Sequence, residues 1–130
     1  MTNTEYIARA IRYYTKHRPM LGKLVFDATK GRFVIKTTTG KLAATYPADG
    51  LSCGDVYIVQ NPDKSWQIAQ CELTDDGWKM MGSQITQASE PAFVLYVPNH
   101  RLSRFVDFWV DERWSLGTLS ITFIDMLLNK

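Results

Sequence analysis

The run WQIAQCELTDDGWKMMG, residues 66–82, decides the fold prediction because it has the pattern of two strands joined by a tight turn. Asp75-Asp76-Gly77 separates two segments rich in β-forming residues, and Asp-Gly between such segments is a strong local signal for a β-hairpin. Alternation along the first strand places Cys71 and Leu73 on one face and Glu72 on the other. The thiol and its neighbouring carboxylate therefore diverge, and the run predicts a hairpin rather than a catalytic site.

The same texture extends over most of the chain, from Leu21 to Val97. Short segments rich in Val, Ile, Thr and aromatic residues alternate with Gly, Asn-Pro and Asp turn signals, which is typical of consecutive strands. The predicted strands are 23–28, 31–38, 41–46, 55–60, 65–73, 77–84 and 92–98.

The two ends of the chain carry helical patterns. Thr2 and Glu5 have the spacing of a capping box, and apolar residues then repeat at helical spacing, which predicts a helix from about residue 3 to residue 17. A second helical pattern follows Pro98-Asn99 and ends near Gly117. The final residues, 118–130, fit a helix and also contain a strand-like run; we favour the helix.

These patterns predict one domain over residues 1–130, with a helix at 1–18, a β-rich body at 21–98 and a helical segment at 99–130. Hydrophobic residues make up 45% and charged residues 22%, which matches folded domains and excludes a disordered chain. The predicted class is α+β: a bent antiparallel sheet or small SH3-like barrel, flanked by an N-terminal helix and a C-terminal helical segment.

The charge balance limits the classes of partner. The chain has 15 Lys and Arg residues against 13 Asp and Glu residues, so its net charge of +2 does not require a polyanionic partner. The N-terminus lacks the pattern of a secretory signal, and no apolar run reaches the ~18 residues of a membrane span. The sequence predicts a cytoplasmic protein without a membrane partner.

Motifs for common chemistries are absent from the sequence. There is no phosphate-binding GxxxxGK[ST] or GxGxxG run, no GxSxG and no HExxH. Cys53, Cys71, His17 and His100 do not follow a metal-ligand spacing. We therefore predict no cofactor, no metal and no catalytic residue, with a small cysteine-dependent hydrolase using a Cys–His pair as an open alternative.

Basic residues on the first predicted helix form a candidate contact surface. Arg9, Arg12 and Lys16 share one face, Arg18 extends it, and Tyr13 flanks it. Such a face either grips phosphates or is an ordinary solvated helix face. A nucleic-acid surface would also use bases of the neighbouring hairpins, which are Lys23, Lys30, Arg32, Lys36 and Lys41.

Large apolar residues are concentrated in the last quarter of the chain. Most of them suit a core, but Trp114 and Leu128 are candidates for a partner or homodimer surface, because aromatic and apolar side chains are enriched at the centres of interfaces.

Several short motifs between residues 21 and 83 resemble a family of short β-domains carried by bacterial mobile elements. The motifs are Leu21-Gly22-Lys23-Leu24, Gly31-Arg32-Phe33-Val34, the run 51–58, Ser65-Trp66 and Gly77-Trp78-Lys79. The resemblance covers about half the chain. The family has no assigned activity, so the resemblance implies a phage, plasmid or transposon context and no catalytic residues.

These observations lead to one expected function and two alternatives. We expect a non-enzymatic binding protein of a phage or mobile element that docks on a host protein or protein–nucleic acid complex, with interference in host defence as a specific version. The alternatives are a nucleic-acid-binding accessory domain and the cysteine-dependent hydrolase.

Overall fold

The structure is a computed structural model that describes residues 12, 16, 17, 19–37, 44–97 and 118–128. The elements with complete bounds among these residues are eight strands and one helix. The strands are β1 (Met20–Asp27), β2 (Arg32–Thr37), β3 (Ala44–Tyr46), β4 (Val56–Gln60), β5 (Trp66–Thr74), β6 (Gly77–Met81), β7 (Ala92–Tyr96) and β8 (Thr118–Leu119). The helix is α1 (Ile121–Leu128).

All strand pairs are antiparallel, and the strands form one sheet in the order β3-β2-β1-β7-β4-β5-β6. β8 pairs with the first two residues of β5, on the edge that β6 occupies further along. The terminal strands β3 and β6 do not pair with each other within the described residues, so the sheet is open.

Alternating residues bury both faces of the central strands. Val56 and Ile58 of β4 face the helix-side core, whereas Tyr57 and Val59 face the inner core. The helix-side core consists of Val56, Ile58, Trp66, Ile68, Leu95, Val97, Ile124 and Leu127. The inner core consists of Leu24, Phe33, Ile35, Leu51, Tyr57, Val59, Ala69, Cys71, Met80, Ile85, Val94 and Tyr96.

The sheet curls around the inner core. Phe33 of β2 and Met80 of β6 belong to the same buried cluster, although these strands lie near opposite ends of the sheet. The guanidinium of Arg32 lies 5.6 Å from the ring centroid of Trp78, which brings β2 and β6 into contact. The curl lets one sheet enclose a core without a second layer on that face.

The other face is covered by α1. Ser120 caps the helix, because its hydroxyl accepts a hydrogen bond from the Phe123 amide at 3.1 Å. Ile124 and Leu127 are buried against the sheet, whereas Ile121 in the first turn is exposed. One apolar stripe of this short helix therefore closes the helix-side core.

The hairpin predicted from residues 66–82 is present, with β5 and β6 joined by Asp75 and Asp76. The hydroxyl of Thr74 donates to the Gly77 carbonyl at 2.7 Å and accepts from the Asp76 amide at 3.2 Å. Thr74, rather than an aspartate side chain, therefore makes the side-chain hydrogen bonds of this turn. Cys71 is buried in the inner core.

The segment after β6 folds back along its outer edge. The Met80 amide donates to the Ile85 carbonyl at 2.9 Å, and the Gln87 amide donates to the Trp78 carbonyl at 3.0 Å. These bonds cover an edge that would otherwise offer unpaired backbone groups to another chain. The same segment then leads into β7 and forms one wall of the pocket described below.

The α+β class predicted from the sequence is wrong. The described residues form mainly one open antiparallel sheet with an eight-residue helix at its C-terminal end, so neither a closed barrel nor a sheet flanked by two helical segments describes them. Each of the seven predicted strands overlaps an observed one. The predicted helix over 3–17 and the segment over 99–117 lie almost entirely outside the described residues, and the tail forms a two-residue strand before α1.

No helix in the described part of the chain has the length and apolar character needed to cross a membrane.

Candidate functional site

The pairing between β4 and β7 stops early and opens a pocket. Two residue pairs join these strands, Ile58 with Leu95 and Val59 with Val94. The same register would next place Gln60 opposite Phe93, but the strands are not paired there, although both residues belong to strands. We call the resulting cavity the split pocket; its lining includes Lys23, Gln60, Asn61, Lys64, Glu90 and Phe93.

The size of the split pocket limits what it can bind. Its volume is about 190 Å³, and Ile85, Pro62 and Pro91 add apolar surface to the lining. Pockets that bury a drug-sized ligand usually have about 300–1,000 Å³. The split pocket therefore suits a single side chain or a similarly small group.

Asn61 is a rigid wall of the pocket rather than a free binding group. Its side-chain amide nitrogen donates to Ser65 Oγ at 3.1 Å and to Gln67 Oε1 at 2.6 Å, and its oxygen accepts from the Gln84 amide at 2.8 Å. Both donors are used, and Asn61 is only 3% exposed. The residue ties the β4–β5 turn to the segment before β7, and both of these elements line the pocket.

Lys64 stands in the β4–β5 turn with a strained backbone. The Lys64 amide donates to the Asn61 carbonyl at 2.9 Å, and the Asn61 amide donates to the Ser65 carbonyl at 2.8 Å. The two bonds match a three-residue hairpin loop that ends in a left-handed residue, a position that usually holds glycine. Lys64 has a φ of 77°, and among the described residues it is the only non-glycine residue with positive φ.

The carboxylate of Asp63 fixes the same turn. It accepts hydrogen bonds from the amide of Ser65 at 2.9 Å and from the hydroxyl of Ser65 at 2.6 Å. These hydrogen bonds lower the pKa of Asp63. Because the turn is held on both sides of Lys64, the strained residue keeps one position at the pocket edge.

Lys23 contributes a second positive charge to the pocket lining. Lys23 of β1 and Phe93 of β7 are register partners, and the Lys23 ammonium lies 4.0 Å from the Phe93 ring centroid. Lys23 makes no ion pair with another described residue; among these residues, the ion pair that forms joins Lys79 and Asp76. An ammonium has three donors, so Lys23 can contact a ligand while it stays over the ring.

Of the other predicted bases of the β1–β2 hairpin, Lys36 lies beside Lys23, whereas Arg32 lies towards the far end of the hairpin. Lys36 is the register partner of Lys23 on β2 and donates to the Thr45 hydroxyl at 3.0 Å. Arg32 lies four residues away on the same strand, roughly 13 Å along it, and donates to the Leu51 carbonyl at 3.3 Å. Lys30 donates to the Ala48 carbonyl at 2.9 Å. The bases are therefore divided between two ends of the β1–β2 hairpin.

The remaining predicted contact residues are placed as follows. Arg9, Tyr13, Arg18, Lys41 and Trp114 lie outside the described residues. Arg12 and Lys16 are exposed, and Leu128 is half-buried against the helix-side core. A partner or homodimer surface at Trp114 and Leu128 stays a prediction.

Cys71 has the surroundings of a core residue. The Gly54 amide donates to the Cys71 carbonyl at 2.8 Å, and the Cys71 amide donates to the Asp55 carbonyl at 2.7 Å. Burial raises the pKa of the Cys71 thiol, and the neighbouring Cys53 raises it further, so the thiol stays protonated at neutral pH. Both cysteines are free thiols.

Metal-ligating side chains do not converge in the described part of the chain, where no group of three or more His, Cys, Asp or Glu residues is placed to hold an ion.

Sequence reasoning missed the split pocket, although one of its residues carries a local signal. In Asn61-Pro62-Asp63-Lys64, the lysine occupies a turn position where glycine is usual. The presence of a lysine where glycine is usual can be recognised from the sequence alone. The separation of β4 from β7 cannot, because the two strands are more than 30 residues apart in the chain.

Comparisons of the chain with protein-family models, with curated proteins and with solved structures gave no match. The resemblance to mobile-element β-domains therefore stays a prediction.

Proposed function

We propose that the protein is a non-enzymatic binding protein that docks on a partner protein through the split pocket. The observation that supports this proposal is the strained Lys64 at the edge of a cavity sized for one side chain. A left-handed conformation costs a side chain about 1–2 kcal/mol, and such strain is concentrated at functional sites. A lysine in place of glycine is then explained by a role for its charge.

The construction of the pocket also suits binding. Asn61 and Asp63 hold the β4–β5 turn through several hydrogen bonds, so little ordering is needed when a partner arrives. A rigid, preformed cavity loses less entropy on association than a flexible surface does. One partner side chain in the cavity would serve as the anchor of a larger contact.

The biological setting comes from the resemblance to mobile-element domains. It favours a host protein, or a host protein–nucleic acid complex, as the partner. Interference with a host defence complex is the specific version of this proposal.

A matched pair of charge reversals tests the docking proposal. Tagged wild-type protein, Lys64→Glu and Lys30→Glu are used to capture proteins from lysate of the bacterial host, and the captured proteins are quantified by mass spectrometry. Both variants change the net charge equally, but Lys30 does not line the split pocket. We expect a protein that wild type and Lys30→Glu retain and Lys64→Glu loses. Identical capture by all three proteins would contradict the proposal.

Nucleic-acid binding is the second candidate, favoured by the side-by-side placement of Lys23 and Lys36 on β1 and β2. Phosphate contacts by such a pair, together with Arg12 and Lys16, would make affinity fall steeply with salt. Titration of labelled duplex DNA, single-stranded DNA and RNA at several salt concentrations tests this candidate. Absence of binding at low salt would remove it.

The cysteine-dependent hydrolase has little support from Cys71. A nucleophilic cysteine reacts as its thiolate, whereas burial keeps the Cys71 thiol protonated and away from solvent.

A further inference from the structure

We infer that the split pocket binds the carboxylate side chain of an Asp or Glu residue of the partner, between Lys23 and Lys64. This inference deepens the proposed function and rests on it. It names the chemistry of the anchor side chain, which the proposed function leaves open.

Charge is the first argument for a carboxylate. Two lysines and one glutamate, Lys23, Lys64 and Glu90, are the charged residues in the lining. Neither lysine makes an ion pair with a described residue. An anion entering between them would gain charge-assisted hydrogen bonds, which are about twice as strong as neutral ones.

The remaining lining is the second argument. Asn61 has both amide donors occupied within the protein, and Gln60 donates to the Lys64 carbonyl at 3.2 Å. The lysine ammonium groups are thus the charged donors of the lining. Phe93 and the two prolines offer apolar surface to the methylene groups that precede a carboxylate. A cavity of about 190 Å³ suits such a side chain better than a phosphate-bearing nucleotide.

The negative charge of Glu90 repels a bound anion, so a change at Glu90 tests whether the bound group is negatively charged. It is exposed on the pocket lining, and a like charge near a bound carboxylate weakens binding. Glu90→Gln removes that repulsion without removing a proposed contact. It is expected to tighten binding of a carboxylate about twofold to threefold, whereas it would leave binding of a neutral group unchanged.

Three blocked peptides serve as probes in a titration followed by amide chemical shifts of the isotope-labelled protein. The first, acetyl-Gly-Glu-Gly-amide, carries the carboxylate on a side chain. The second, acetyl-Gly-Gln-Gly-amide, is its neutral match. The third, acetyl-Gly-Gly-Gly with a free carboxyl end, presents the same chemistry from a chain terminus.

We expect saturable shifts at Gln60, Lys64 and Phe93 with the glutamate peptide, at a millimolar Kd, and much weaker shifts with the other two probes. Lys23→Gln and Lys64→Gln should each weaken binding about threefold to tenfold, whereas Lys36→Gln on the neighbouring strand should not. Lys64→Gln keeps the left-handed turn position, so loss of charge is separated from loss of strain.

Several outcomes would overturn the inference. Equal shifts from the glutamine peptide would mean that charge is not recognised, and stronger binding of the free carboxyl end would assign the pocket to a chain terminus. No saturable shift up to about 50 mM would reject a carboxylate site. If capture of a partner still depends on Lys64 but the glutamate peptide does not bind, docking through the split pocket stands and recognition of an acidic side chain is rejected. If capture does not depend on Lys64 and the glutamate peptide does not bind, both proposals are rejected.

Discussion

Replacing Lys64 by glycine should stabilise the protein while it weakens binding. A side chain in the left-handed region costs about 1–2 kcal/mol, and Lys64 has a φ of 77°. Glycine removes that cost, but its greater conformational freedom in the unfolded chain lowers the free energy of unfolding by about 0.4–1 kcal/mol. The expected net gain in the free energy of unfolding is about 0.5–1 kcal/mol.

Urea denaturation followed by tryptophan fluorescence measures this gain. At an m-value of about 2 kcal/mol per M, Lys64→Gly should raise the midpoint by about 0.25–0.5 M. Lys64→Gln is the control, because it removes the charge and keeps the left-handed side chain, and its stability should stay within about 0.5 kcal/mol of wild type. Equal stability of the two variants would show that the left-handed backbone of Lys64 carries no strain.

Three further predictions test the fold. Gly50→Ala should lower the free energy of unfolding by about 2 kcal/mol more than Gly31→Ala. Both glycines have positive φ, but only a Cβ at position 50 would press against β2, 2.8 Å from the nearest atom. Urea midpoints compare the two variants, and equal losses of stability would contradict the close approach. Ile124→Ala should lower the free energy of unfolding by about 2–4 kcal/mol, because this side chain of α1 is only 2% exposed. Ile121→Ala, at a side chain that is 63% exposed, should lower it by less than about 0.5 kcal/mol. Similar losses for the two variants in urea denaturation would contradict the packing of α1. Burial raises the pKa of Cys71, so the unfolded chain loses the thiol proton at a lower pH than the folded protein does. The free energy of unfolding should therefore fall by up to about 1.4 kcal/mol per pH unit above about pH 9. Cys71→Ala should remove this pH dependence, and an unchanged pH dependence would show that the thiol is not its source.

The strands were predictable because their signals are local. Alternation and turn residues mark each strand, and the Asp75-Asp76-Gly77 turn was located correctly from three residues. The face assignment of Cys71 followed from the period of two along β5. The C-terminal tail was harder, because Thr118 and Leu119 add to the sheet through a pairing with β5 that no local pattern encodes.

The fold class failed for a different reason. A strand list does not determine how a sheet curls or closes, since that depends on contacts between distant elements such as Arg32 and Trp78. The same limit applies to the candidate site. Lys23, Lys64 and Phe93 line one pocket only because β1, β7 and the β4–β5 turn lie close together in the folded protein.

Docking through the split pocket can be tested most directly by placing a photo-reactive amino acid at position 90, in place of Glu90. This exposed residue lines the pocket, and its replacement leaves Lys23 and Lys64 in place. Asp76 is the control position, since it follows the end of β5 opposite the pocket, roughly 26 Å along the strand. We predict a discrete adduct with one host protein from position 90, none from position 76, and loss of the adduct in Lys64→Glu. The same adduct from both positions, or an adduct that survives Lys64→Glu, would show that the partner does not dock at the split pocket.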